Sequence, residues 1–170
     1  MDDGREESTN TVRFLKTNSG KKGQGMPVVR NPQFYFREGF CWNNVLNPEA
    51  RLLKVKLKGA SVNDVGSMSL FPLANLCSSK YIIALLNSNL LFDFYREFIN
   101  CSVNIQINDI RQVPIIIPSS AQLENVEDSV IKAINCRVAL DSKEKSESDS
   151  DFLENIEKEL DGIVNSIYLI

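Results

Sequence analysis

The chain contains no histidine, so it lacks the side chain that most often carries general acid–base chemistry near neutral pH and that most often ligates zinc. Its four cysteines, Cys41, Cys77, Cys101 and Cys136, are scattered and form no Cys-x-x-Cys pair. Zinc frameworks are thereby excluded, and buried free thiols are expected. Long apolar runs are also missing. The longest is the six-residue segment Tyr81–Leu86, against the roughly 20 residues needed to span a bilayer. The first residues, Met1-Asp2-Asp3-Gly4-Arg5-Glu6, have neither the basic nor the apolar region of a signal peptide. The expectation is a soluble cytoplasmic protein that makes no membrane contact.

Two short motifs promise chemistry that their surroundings withhold. Thr17–Gly25 is rich in glycine and polar residues, but Gly20-Lys21 is followed by Lys22 and Gly23, where a phosphate-cradling loop needs Ser or Thr opening a helix. A mobile loop is the reading there. Asn31-Pro32-Gln33-Phe34 approaches the tetrad with which amino-methyltransferases hold a target amine, but Gln33 replaces the second proline. The thirty residues before it cannot build the doubly wound sheet that such a site requires. An extended segment entering a strand is expected instead.

What the chain does contain is one core's worth of apolar residues. At 170 residues and 43% hydrophobic, it can bury a single good core with a helical appendage. Tyr81–Leu86 is apolar on every side, so this helix, continuing to about Phe98, should begin inside the protein. Polar residues then collect on one side at Asn89, Asp93, Arg96 and Glu97, so the helix should emerge as it proceeds. Gln33–Phe36 and Phe40–Trp42, flanking a bend at Gly39, read as strands, and Asn43-Asn44 and Asn47-Pro48 read as turns. Leu53–Lys58 alternates with period two and Ser67–Phe71 is another short strand. Val113–Pro118 reads as a strand at a sheet margin, since proline cannot donate to a ladder. Past Pro118, Ala121–Leu140 and Phe152–Leu169 have helical apolar spacing, separated by an acidic, solvated linker at 141–151. The expected fold is α+β: a small mixed β-sheet with one buried helix (26–118), a flexible N-terminal segment (1–25), and a C-terminal helical pair (119–170).

Charge is unevenly distributed. Thr11–Ala60 holds ten basic and two acidic residues, a net of +8, whereas Ser119–Ile170 holds five basic and twelve acidic, a net of −7. One end can face a polyanion and the other would repel it. Lys54, Lys56 and Lys58 fall on one side of the predicted strand, where they serve either as a solvated face guarding a sheet edge or as cations spaced along a nucleic-acid backbone.

Four stretches taken in order resemble a known family. They are Tyr35–Trp42, Ser69-Leu70-Phe71, Ile83–Asn89 and Asn104–Ile115, followed by the closing Glu159–Leu169. Together they resemble the target recognition domains at the C-terminal end of TaqI-type adenine methyltransferases and type IIG restriction-modification enzymes, including relatives from phage-exclusion systems. The specificity subunits of type I systems are more distantly similar. The resemblance spans residues ~28–170 and implies recognition of duplex DNA in the service of adenine N6 methylation. This chain has no glycine-rich cofactor loop, intact catalytic tetrad or recognisable nuclease site. The resemblance therefore implies a non-catalytic reading part whose S-adenosylmethionine would be held by a separate methyltransferase catalytic domain or subunit.

Within such a reader, phosphate contacts position the protein and base contacts specify the sequence. Lys21, Lys22, Lys54, Lys56 and Lys58 are candidates for phosphate. Arg37, Asn43, Asn44, Asn104 and Gln106 are candidates for base edges, since arginine can bridge guanine and Asn or Gln can bridge adenine. Trp42 is read either as packing on a sugar or flipped base, or as core. The second functional expectation is a non-catalytic assembly module docking through its C-terminal helices. An independent enzyme is a third, without a clustered carboxylate pair to support it.

Overall fold

The computed structural model describes residues 31–47, 49, 52–63, 66–72, 77–142 and 147–168. Lys21, Lys22 and the expected flexible segment 1–25 lie outside them. The described residues fall into two compact units, one of residues 31–37 and 59–62 and the other of residues 38–58 and 63–168.

In the first unit, Pro32–Phe34 is a single 3₁₀ turn where a strand was expected. Proline is favoured at the first helical position because its missing N–H costs nothing there. The turn closes through Phe34 N–H donating to Asn31 O at 3.0 Å, and Phe36 N–H reaches Ser61 O at 3.2 Å.

The second unit is α+β. Strands β1 (Gly39–Asn43), β2 (Lys56–Lys58) and β3 (Ser67–Leu70) form a sheet of order β2-β1-β3. Both pairings are antiparallel, which corrects the expectation of a mixed sheet. Gly39 opens β1 because nothing larger fits. A Cβ there would stand 2.6 Å from Leu70 O and 2.7 Å from Phe71 Cδ1.

The expected single buried helix is broken into α1 (Ser79–Leu86), α2 (Asn89–Phe94) and a π-helical turn, Tyr95–Ile99. Capping causes the break. Ser78 Oγ accepts Tyr81 N–H and Ser88 Oγ accepts Leu91 N–H, so each serine starts its own helix. Asn87, between them, turns its side chain to Val55, taking the Val55 N–H at 2.8 Å and donating to Val55 O at 2.7 Å. The amide thus does for β2's approach what a neighbouring strand would do. After a short α3 (Ile107–Ile110) come the long α4 (Ser120–Ser142) and α5 (Glu147–Tyr168).

All six residues Tyr81–Leu86 are buried, as the sequence requires, because α1 packs on β1 and β2 on one side and on α4 and α5 on the other. Fully burying each large apolar side chain is worth about 1.5–3 kcal/mol before chain entropy is charged. Helices α4 and α5 pair with opposed directions. Four residues connect them, and Ser129 Oγ, thirteen residues before the end of α4, donates to Glu159 Oε1, twelve residues past the start of α5, at 3.4 Å. The expected linker at 141–151 is largely helical instead. Exposed i,i+4 pairs, Arg137–Asp141 at 3.5 Å and Lys158–Glu154 at 2.7 Å, support helix in these polar stretches. Among the described residues no helix is long and apolar enough to cross a membrane.

Residues 113–118 form no strand. Tyrosine hydroxyls take the backbone groups that a ladder would have used. Tyr81 donates to Ile116 O at 2.7 Å, and Tyr168 donates to Pro114 O at 2.6 Å while accepting Ile116 N–H at 3.2 Å. Burial pushes the Tyr81 and Tyr168 phenols above the ordinary tyrosine value of 10.0. Their protons therefore stay on in the folded chain after the unfolded chain has released them. The stability they contribute is complete below pH 10 and declines above it. Urea midpoints measured from pH 8 to 11 should fall beyond pH 10. Tyr168→Phe should lose about 1–2 kcal/mol at pH 7 and flatten that decline. Gly39→Ala should cost about 1–3 kcal/mol, because its obstacle is a backbone oxygen; an unchanged urea midpoint would contradict the close approach.

Candidate nucleic-acid interface

Strand β1 alternates, and its register assigns each face. Phe40 and Trp42 share one face, with Leu70 and Met68 opposite them on β3; Gly39, Cys41 and Asn43 share the other, with Lys58, Lys56, Ser69 and Ser67 across from them, and on that second face Gly39, Cys41 and Lys58 are buried while Asn43 and Lys56 are exposed. The strand ends at Asn43 and the chain bends at Asn44, as expected of the Asn-Asn pair. It continues through Leu46, pairing with residues 103–105 from the far side of the helices. Leu46 N–H donates to Val103 O at 2.7 Å, Ile105 N–H donates to Asn44 O at 2.9 Å, and Val45 stands opposite Asn104. Burial alternates from Trp42 to Leu46, while on the partner side Val103 is exposed although it has the phase of buried Ile105. Trp42, Leu46 and Ile105 are buried, whereas Asn43, Val45, Asn104 and Gln106 are exposed.

Three of the sequence-predicted base readers therefore share one outward face, although sixty residues separate them. Asn43 and Lys56 leave the same side of the sheet, Lys56 exposed opposite Cys41. Asn44 faces the other way, half-buried, with its N–H bound to Gly66 O at 3.0 Å. Helix α1 packs against β1 and β2 and also against α4 and α5; of the basic residues in 11–60, the exposed ones described in this unit are Lys54 and Lys56.

Two of the predicted contacts, Trp42 and Lys58, are withdrawn from the surface. Trp42 is 1% exposed, and its Nε1 reaches Ile105 O at 3.5 Å. It supports the ribbon from beneath and cannot stack on a sugar or base. Lys58 is 5% exposed, with Nζ 5.7 Å from the centre of the Phe71 ring. The ring face attracts the ammonium and its stem lies on apolar surface, so the predicted row of three lysines does not form. Lys54 is exposed but lies outside β2, with φ at 54°. Leu53 and Val55 on either side of it are both buried, and the pattern changes only within β2, where Leu57 is 44% exposed and Lys58 is buried. Arg37 belongs to the other unit, 5.4 Å over the Phe34 ring. Lys21 and Lys22 lie outside the described residues.

The loop that presents Asn104 and Gln106 is held by one carboxylate. Asp109 accepts from Tyr95 OH at 3.3 Å, Asn100 Nδ2 at 2.7 Å and Gln106 N–H at 2.9 Å. Gln106 is also the N-cap of α3 in a capping box with Asp109, so the Asn104–Ile115 motif has a structural use as well. Arg96 ties the loop's other side by donating to Ser102 O at 2.7 Å. Burial raises the cost of the Asp109 charge, but the three donors outweigh it and hold the carboxyl below the usual value. In the folded chain the buried Tyr95 phenol is pushed above its ordinary range by burial first and by the Asp109 charge next.

The cysteines are not uniformly buried: Cys41 is buried, Cys77 and Cys136 are half-buried, and Cys101 is exposed. Burial pushes the Cys41 thiol up despite the pull of Lys56 and Lys58, so it stays protonated at neutral pH. Among the described residues no three cysteine or carboxylate groups are placed as metal ligands. The sequence reading missed Val45. Continuing the β1 alternation past Asn43 would have marked it as outward-facing, but the Asn-Asn pair concealed that phase.

Comparison with known proteins returned no match: no family model fits the chain, and no curated protein or solved structure is similar to it.

Asp109→Ala should destabilise the chain at pH 7 by about 2–3 kcal/mol, since it orphans three donors at once. The Asp109 pKa is lowered by folding, so its contribution is present above the unfolded carboxyl pKa near 4 and lost below it. The difference between wild type and variant in urea melts should therefore shrink at pH 3; a constant difference would contradict the network.

Proposed function

We propose that this chain is a non-catalytic, cytoplasmic module that reads duplex DNA and serves an adenine methyltransferase whose catalytic part, with its S-adenosylmethionine, lies on another segment or subunit. One observation carries the reading. Asn43, Asn104 and Gln106 are exposed with Lys56 at positions that β1, its register with β2 and the Val45–Asn104 bridge assign to one face. Two-stranded ribbons fit the major groove, and amides and lysines are the groups that read adenine and hold phosphate. Exposed Lys54 adds a second cation in the neighbouring segment. Trp42 and Lys58 contribute from below as framework.

A second reading, an assembly module docking through the C-terminal helices, has its own support. Ile131, Val138 and Phe152 stand 39%, 62% and 58% exposed on α4 and α5. Both readings hold if the hairpin carries the catalytic partner while the sheet faces DNA.

Duplex binding should weaken steeply as salt rises from 50 to 200 mM, and Lys56→Ala should reduce the slope of log affinity against log salt by about 0.9, one phosphate's share. Salt-independent retention, or no retention of any duplex, would refute the DNA reading. The same titration with Trp42→Phe should leave the slope unchanged.

A further inference from the structure

The ribbon contains one residue that a purely polar DNA contact does not explain. Val45 is 58% exposed at the centre of the outward face, directly across from Asn104 and two positions beyond Asn43. Residues opposite each other in an antiparallel bridge hold their Cβ atoms about 5 Å apart on the same side. A methyl-bearing side chain and a carboxamide are thus presented together. The Asn104 backbone is fixed: Asn100 Nδ2 donates to Asn104 O at 2.9 Å, and Asn104 N–H donates to Ser102 Oγ at 3.3 Å. The carboxamide therefore extends from an anchored position.

In the major groove, adenine displays an acceptor and a donor that asparagine matches with two hydrogen bonds, and thymine displays a methyl group that pairs with apolar side chains. G·C pairs offer neither the methyl nor adenine's pattern. We propose that Asn104 and Val45 form one A·T-reading element, with Asn104 on the adenine N6/N7 edge and Val45 against the adjacent thymine methyl. This inference rests on the DNA-reading function and deepens it, naming the base pair that this part of the face selects. The pairing of an exposed valine with an exposed asparagine, conserving neither core nor charge, is what the element predicts for itself.

The test uses the full chain and a pool of duplexes with a randomised core, selected by retention at low salt. The enriched duplex is then resynthesised with uracil for thymine, which removes only the methyl, or with 7-deazaadenine for adenine, which removes only the N7 acceptor. The expected result is enrichment of A·T at a fixed position. Uracil should weaken wild-type binding about three- to fourfold, the worth of one buried methyl, and leave Val45→Ala unaffected. 7-Deazaadenine should weaken wild type about tenfold or less and leave Asn104→Ala unaffected. Both side chains are exposed, so neither variant threatens the fold; circular dichroism and a urea midpoint verify this. Retention without A·T enrichment, or equal sensitivity of wild type and variants to the modified bases, overturns the element while leaving DNA binding intact. No retention of the pool at any salt overturns the element and the DNA-reading function together.

Discussion

The burial of α1 is the constraint on which the second unit depends. A helix whose side chains are apolar all round cannot lie on a surface, because one side would remain in water. It needs two covers. The sheet supplies one with Phe40, Trp42, Met68 and Leu70, and the α4–α5 hairpin supplies the other with Val126, Val130, Val164 and Ile167. Three layers follow from that single requirement, and polar anchors complete them. Asn87 binds the helix end to Val55, Ser78 and Ser88 close the helix starts, and Tyr81 with Tyr168 takes the backbone of the segment running between the layers.

Because the sheet spends its apolar face on α1, its other face is left for polar residues. There the chain places Lys56, Asn43, Ser67 and Ser69, and the ribbon extends the same face to Val45, Asn104 and Gln106. The acidic hairpin occupies the opposite cover. Loop 100–106 is held rigid by Asp109 and Arg96, and a contact surface held in advance loses less entropy on binding.

Some of this was legible in the residues and some was not. The all-round apolar character of Tyr81–Leu86 marks a buried helix, since only burial satisfies it. The apolar spacing of α4 and α5 marks a helical pair, although the acidic stretch at 141–151 disguised how far both helices run. Lys58 shows the limit of a period-two reading: alternation assigns it the same face as Lys56, but whether that face is open at each position depends on neighbours such as Phe71. Gln106 and Asp109 show another limit. A motif that looks like recognition is also a helix cap, and one residue type serves both ends.

Local order alone determined that the stretches around 81–98, 121–140 and 152–168 are helical, which stretch must be innermost, and that the chain's two ends carry opposite charge, because periodicity and composition are properties of neighbours. Only the tertiary structure decided that Asn43 and Val45 meet Asn104, that Trp42 and Lys58 are withdrawn from the surface, and that the hairpin lies behind α1. Those outcomes depend on strand register and on which face each layer covers, and register between segments sixty residues apart is a matter of packing that no local pattern encodes.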